Sequence, residues 1–124
     1  MTKSAKKRRI CIDLDGVLAR YDGVWRGEAH IGKPMPGARG FLERMKRTEF
    51  LVVVHTSRTC KRHVLAWFRR NRLPLPDDVT HKKVIATAYI DDRAVHFDGS
   101  FDRLIKDLKK FKVHWNKERP FKDI

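Results

Sequence analysis

Uninterrupted runs of apolar, β-branched residues predict two buried strands. One covers 9–14, where Ile10, Cys11 and Ile12 lead into Asp13, and the other covers 50–55 with the sequence Phe-Leu-Val-Val-Val-His. Neither run alternates apolar and polar positions as a strand with one solvated face does. Both faces of these strands are therefore expected to be covered. Shorter apolar stretches at 79–81 and 86–90 predict two further strands.

Apolar positions at helical spacing predict three helices between and after these strands. The first runs from about 37 to 48, and the second begins at a Thr59 cap and ends before the Leu-Pro-Leu-Pro sequence at 73–76. The third helix follows the Asp-Gly-Ser turn at 98–100. Its apolar face is expected to lie inside: Phe101, Leu104, Ile105, Leu108 and Phe111.

The alternation of strands and helices predicts an α/β fold with a parallel sheet. We expect a three-layer α/β/α, Rossmann-like domain over 9–111, with about five strands. A basic N-terminal arm (1–8) would precede it, and an irregular basic tail (112–124) would follow it. The glycine-rich stretch 16–40 predicts a loop or small hairpin and is too short for a separate cap domain.

Composition adds a strong positive charge to this picture. The 124 residues include 29 Lys and Arg against 15 Asp and Glu, a formal net charge of +14. Such a charge favours polyanionic partners, although it is also compatible with a solubility bias and no partner. No apolar run approaches the ~20 residues of a membrane span, and no signal peptide is recognisable. We expect a cytoplasmic protein without a membrane partner.

Polar residues of one chemical kind follow three of the predicted strands. The first strand ends in Asp13 and Asp15, which lie two residues apart and so point to one side of an extended chain. The second is followed by Thr56-Ser57-Arg58, and the fourth by Asp91-Asp92-Arg93. Carboxylates crowded at one sheet edge need a cation to stay ionised, and Mg²⁺ prefers such oxygen ligands. A magnesium-assisted phosphoryl-transfer site is the chemistry that this pattern predicts.

In this order the motifs resemble those of the haloacid dehalogenase (HAD) superfamily of phosphohydrolases. Asp13-Leu14-Asp15-Gly16-Val17 is similar to the first motif, Thr56 to the second, Lys83 to the third and Asp91-Asp92 to the fourth. Val17 stands where the family more often has Thr. Lys82 is adjacent to Lys83, and Ser57 to Thr56, so each of these two assignments has an alternative.

The resemblance implies a capless phosphatase that works through an aspartyl-phosphate. Asp13 would be the nucleophile and Asp15 the proton-transfer group. Thr56, Ser57 and Lys83 would bind the phosphate. Mg²⁺ would be held by Asp13, Asp15 through its backbone carbonyl, Asp91 and Asp92. A response-regulator receiver carries similar residues, but there the phosphate-accepting Asp lies on a middle strand, between an early acidic pair and the Thr. In this chain Thr56 comes on the strand directly after the first, and the acidic pair Asp91-Asp92 comes last, so the order favours the HAD resemblance.

The substrate is a phosphorylated compound whose identity stays open at this stage. An open cleft, the positive charge and the strings Thr56-Ser57-Arg58 and Ile90-Asp91-Asp92-Arg93 together indicate a nucleic-acid end or nucleotide as candidate substrate. The last string also resembles the phosphatase domain of phage-type polynucleotide kinase-phosphatases. The alternative is a non-catalytic HAD-fold module that binds nucleic acid. Tyr21 and Trp25 would either stack on a base or pack their loop, and Trp115 is expected to be a packing residue.

Overall fold

The computed structural model describes residues 8–124, so that all but the last residue of the expected basic arm, 1–8, lies outside the described residues. None of the helices in this range is long and apolar enough to cross a bilayer. The elements in chain order are β1 (Arg9–Asp13), α1 (Ala38–Lys46), β2 (Leu51–His55), α2 (Lys61–Arg70), β3 (Asp78–Thr80), β4 (Ala88–Ile90) and α3 (Phe101–Lys110).

The sheet is parallel throughout, as the sequence predicts, and its strand order is β3-β2-β1-β4. Within 8–124 it contains four strands, and the fifth strand that we expected is not there. The chain moves outward from β1 to β3 and then returns to the other side of β1 with β4. The strand order therefore reverses between β1 and β4, where α/β sheets commonly bind ligands at the carboxyl ends of their strands.

The core lies mainly on one face of the sheet. Ile12, Val54 and Val79 project from three neighbouring strands into one cluster with the buried side chains of α1 and α2. Trp67 and Phe68 of α2 are the largest fully buried side chains of this cluster. This packing covers one face of the sheet and fixes the positions of α1 and α2 on it.

The expectation that the apolar face of α3 lies inside is met only in part, since Leu104 and Leu108 are half-buried. No residue of α3 is buried, and Phe101 and Ile105 are 73% and 45% exposed. The spacing of apolar residues gave the helix an apolar face correctly, but burial also needs an opposing surface. The connection between β3 and β4, residues 81–87, contains no helix that could supply one on the second face of the sheet.

The glycine-rich stretch before α1 is tied to α2 at two points. The indole Nε1 of Trp67 donates to the Gly32 carbonyl at 2.7 Å. The Glu28 carboxylate accepts from the amides of Thr59 and Cys60, both at 3.1 Å. Cys60, and not Thr59, is the N-cap residue of α2, and its side chain makes no cap hydrogen bond. Glu28 instead accepts from the two amides that immediately precede the helix, and so holds the loop against the helix start.

Candidate active site

A tight turn follows β1 and presents its two aspartates. The Leu14 carbonyl accepts from the amides of Val17, Leu18 and Ala19 at 2.9–3.2 Å. Gly16 lies at φ 92°, a conformation that a side chain would strain. Asp13 closes β1, and its Oδ1 accepts from the Leu14 amide at 2.9 Å. The Asp-Gly pair thus serves a turn whose shape fixes both carboxylates.

Three carboxylates meet at the carboxyl ends of β1 and β4. Ile12 pairs with Ile90, so that the next residues, Asp13 and Asp91, come side by side. Each of Asp13, Asp91 and Asp92 offers one oxygen, and these oxygens lie within 4.8 Å of one another. The Asp15 carboxylate is not in this cluster. It would contribute to a metal site only through its backbone carbonyl, as the resemblance implies.

The cluster is electrostatically strained in the absence of a cation. The pKa of Asp13 is raised from 3.8 to about 8, first by burial, then by the hydrogen bond that its protonated form donates to Asp92, and by the negative charges of Asp91 and Asp92. The Oδ1 atom of Asp92 is buried and makes no hydrogen bond. An all-oxygen donor set with an unsatisfied buried oxygen fits a hard divalent cation such as Mg²⁺.

Asp15 is held by Arg58, a buried residue that is 4% exposed. The Nε and Nη2 atoms of Arg58 donate to the two oxygens of Asp15 at 2.8 and 2.9 Å. Its remaining donors reach the carbonyls of Gly27, Glu28 and His30 at 2.7–2.9 Å. All five guanidinium N–H groups are therefore used. Arg58 joins the turn after β1, the segment after β2 and the loop at 27–30.

An open cleft of about 360 Å³ lies over these groups. The Trp25 ring forms part of its wall and also stacks on the Arg58 guanidinium at 4.5 Å. The Thr56 hydroxyl accepts from the Arg58 amide at 3.1 Å, which fixes the side chain at the end of β2. The cleft is lined by Asp13, Asp15, Tyr21, Trp25, His55, Thr56, Ser57, Asp91 and Arg93.

The structure does not bring Lys83 to this cleft. Lys83 lies on the connection between β3 and β4, is exposed, and places its ammonium 5.0 Å from the centre of the Tyr89 ring. Lys82, the alternative, is also exposed and is not among the lining residues. The cation that lines the cleft is Arg93, whose amide donates to Asp91 Oδ1 at 2.7 Å. A cation–π attraction to Tyr89 accounts for the position of Lys83.

Sequence reasoning assigned no role to three residues that the structure places at the site: Arg58, Arg93 and Trp115. The two arginines follow the motif residues directly, and this adjacency is the one signal that could have selected them among 29 basic residues. Trp115 was expected to be a packing residue, yet its indole nitrogen donates to Asp92 Oδ2 at 2.6 Å. No local pattern marks it, because its partner lies 23 residues earlier.

Comparison with known proteins supports the fold and leaves the activity open. No family model matches the chain, and no curated protein matches it. The structure is similar to that of a conserved protein from Bacteroides thetaiotaomicron, with a TM-score of 0.58 and 18% sequence identity over 87% of this chain and 94% of that one. At this identity the likeness concerns the parallel α/β fold alone.

Proposed function

We propose that this protein is a magnesium-dependent phosphatase of the HAD type, which hydrolyses phosphomonoesters through an aspartyl-phosphate on Asp13. The observation that carries the proposal is the meeting of Asp13, Asp91 and Asp92 within 4.8 Å at the point where the strand order reverses. Thr56 and Ser57 line the same cleft from the neighbouring strand β2. Two strands thus supply carboxylates and a third supplies hydroxyls to one open cavity.

The metal would be held by side-chain oxygens of Asp13, Asp91 and Asp92, with the backbone carbonyl of Asp15 as a further ligand. When bound, Mg²⁺ neutralises the carboxylate cluster and the charge of the phosphate. The pKa of Asp13, raised to about 8, shows how strongly the cluster resists full ionisation without such neutralisation. A nucleophilic carboxylate must be ionised, so the metal site and the nucleophile depend on each other.

Asp13 attacks the phosphorus atom and displaces the alcohol, and water then hydrolyses the resulting acyl phosphate. The Leu14 amide at Oδ1 fixes the orientation of the Asp13 carboxylate. Asp15 lines the same cleft and transfers the protons of both steps. The bidentate contact with Arg58 holds the Asp15 carboxylate in a fixed orientation beside the cleft.

The charge that develops on the phosphate is stabilised by Thr56, Ser57 and Arg93. Thr56, Ser57 and Arg93 are among the residues that line the cleft, whereas Lys83 is not. A guanidinium can donate two parallel hydrogen bonds to phosphate oxygens. In this proposal Arg93 therefore takes the role that the family resemblance implied for Lys83.

The best-supported substrate is a phosphorylated nucleic-acid end. Trp25 is 52% exposed at the wall of the cleft and offers a ring face to a base. A second cleft shares Asp15 and Tyr21 with the first and adds Arg20, which is exposed. In this arrangement a base would stack on Trp25 next to the reacting phosphate, and Arg20 would bind the next phosphate of the nucleic-acid chain. The net charge of +14 favours the same class of substrate.

The test is phosphate release from oligonucleotides with a 3′- or 5′-phosphate, from nucleotides and from sugar phosphates, each with Mg²⁺ and with chelator. We expect release that requires Mg²⁺ and disappears in Asp13→Asn, which keeps the side-chain shape but removes the nucleophile. Asp107→Asn, an exposed position on α3, is the matched control and should retain activity.

Two outcomes would contradict the proposal. Activity of Asp13→Asn equal to that of the unmodified protein would exclude the covalent route. Salt-sensitive oligonucleotide binding without phosphate release from any of these substrates would support the non-catalytic binding module instead.

A further inference from the structure

The segment 112–124 is more than an appendage to α3. It contains no helix or strand, as expected for an irregular tail, but two of its residues contact the turn after β1 and the carboxylate cluster. His114 Nε2 lies 2.6 Å from the Gly16 carbonyl. Because a carbonyl oxygen only accepts, this nitrogen carries the proton in the contact. Trp115 follows directly and contacts Asp92.

Trp115 is fixed from several sides. Its indole nitrogen donates to Asp92 Oδ2 at 2.6 Å. The edge of Tyr21 packs against its ring at 5.1 Å, and the Arg93 guanidinium lies 5.2 Å from the ring centre. Any side chain at Gly16 would overlap the Asp92 carboxylate, so this glycine makes room for the contact. The indole is thus held in one orientation by the groups that surround the cleft.

The two oxygens of Asp92 have different surroundings. Oδ2 is satisfied by the indole, whereas Oδ1 is buried and makes no hydrogen bond. A donor on one oxygen fixes the carboxylate rotamer and leaves the other oxygen available to a cation. It also reduces the negative charge that Asp92 presents to its two acidic neighbours.

We propose that Trp115 is a positioning residue for the metal site, which orients Asp92 as a ligand through its indole N–H, and that His114 anchors it there. This inference rests on the proposed metal site. It assigns a role to a residue that lies outside the four motifs and outside every helix and strand of the described chain.

The test is direct titration of the full-length chain with Mg²⁺ and Mn²⁺ by calorimetry, without substrate. Trp115→Phe retains a ring against Tyr21 and removes the N–H donor. We expect metal affinity to fall by about 10–100-fold, the usual effect of removing a partner that orients a ligand. Phosphatase activity should then need correspondingly more Mg²⁺ and should recover at saturating concentrations. Phe121→Leu, in the same segment and packed on Phe111, is the matched control and should bind metal normally.

A second measurement does not depend on the variant folding. In the unmodified protein, the indole N–H resonance of Trp115 should lie far downfield, because it donates to a carboxylate, and should shift on metal titration with the same dissociation constant. Unaltered metal affinity in Trp115→Phe, or an indole N–H resonance that does not shift on metal titration, would overturn the inference. Absence of metal binding to the unmodified protein would overturn the proposed metal site as well, so the two failures are distinguishable.

Discussion

Asp13 combines burial with two acidic neighbours, and its ionisation therefore opposes folding. Its pKa in the folded protein is about 8, against an ordinary value of 3.8. A group with a raised pKa contributes stability that is complete below the unfolded value and is lost as pH rises through the folded value. The window for this loss extends from about pH 4 to about pH 8.

We therefore predict that the metal-free protein loses stability across this window relative to Asp13→Asn. The two proteins should have similar unfolding free energies near pH 4, and the variant should be the more stable near pH 9, because its amide does not ionise. Mg²⁺ should stabilise the unmodified protein more at high pH than at low pH. Urea unfolding in chelator and in Mg²⁺ measures both effects. A constant difference between the two proteins at every pH would contradict the prediction.

Arg58 should be the most costly single cation to remove. Its loss would leave the Asp15 carboxylate and the carbonyls of Glu28 and His30 without protein donors. Breaking a buried ion pair in this way costs about 3–5 kcal/mol, so we predict a loss of that size for Arg58→Met. Arg26→Met is the matched control, since its pair with Asp22 is exposed and worth about 0–1 kcal/mol. Equal losses in urea unfolding would show that Arg58 is not the centre of the network.

The positions of single site residues were predictable from the sequence where those residues stand at the end of a strand. Asp13 and Asp91 each stand at or just after a strand end, and local sequence is enough to place them. The roles of Arg58 and Trp115 were not predictable, because their partners lie in chain segments distant in sequence. For Lys83 the family resemblance indicated the cleft, but the fold places its ammonium beside Tyr89.

At the scale of elements, α2 and α3 differ in a way that their sequences conceal. Both are ten-residue helices with an apolar face and basic residues in the last turn. α2 buries Val64, Trp67 and Phe68 against the sheet, whereas α3 buries no residue. The apolar contribution to stability follows the area removed from water, so it should come from α2 and hardly at all from α3.

Matched Phe→Ala substitutions test this difference. Phe68 is 0% exposed, and its truncation should cost about 3–5 kcal/mol of unfolding free energy. Phe101 is 73% exposed, so Phe101→Ala should change stability by no more than about 0.5 kcal/mol. Urea unfolding at several protein concentrations measures both. Comparable, concentration-dependent losses would mean that another copy of the chain covers α3 in solution.

Element types were predictable because they depend on local periodicity. The β-branched runs gave β1 and β2, and apolar spacing gave all three helices. Layering was less predictable, since a pattern shows which face is apolar but not whether another element covers it. The prediction of Thr59 as the cap of α2 was wrong by one residue: Cys60 is the N-cap, and the Thr59 amide donates to Glu28, which lies 31 residues earlier.

At the scale of the whole molecule, the net charge of +14 and the cleft should respond differently to salt. Oligonucleotide affinity should fall steeply with salt, with a slope of about −0.7 per phosphate contact on a single strand. Hydrolysis of a small ester should respond much less, because it needs one phosphate held inside the cleft. Binding and turnover measured over one salt series compare the two.

Arg20 provides the corresponding variant. Arg20→Ala should weaken oligonucleotide binding and lower the salt slope by about one contact without changing small-ester turnover. Arg47→Ala, exposed just after α1 at the opposite edge of the parallel sheet, is the control. If the salt dependence of oligonucleotide binding has the same slope in the two variants, Arg20 does not contact the substrate.

The contact between His114 and the Gly16 carbonyl joins residues 98 positions apart. During synthesis the chain emerges from its N-terminal end at roughly 5–20 residues per second, so Gly16 precedes His114 by roughly 5–20 seconds. Throughout that interval the residues of the turn after β1 have been synthesised, but the indole that contacts Asp92 has not. A nascent chain that has passed residue 92 but has not yet reached residue 115 therefore carries all three carboxylates of the cluster but not the indole that donates to Asp92.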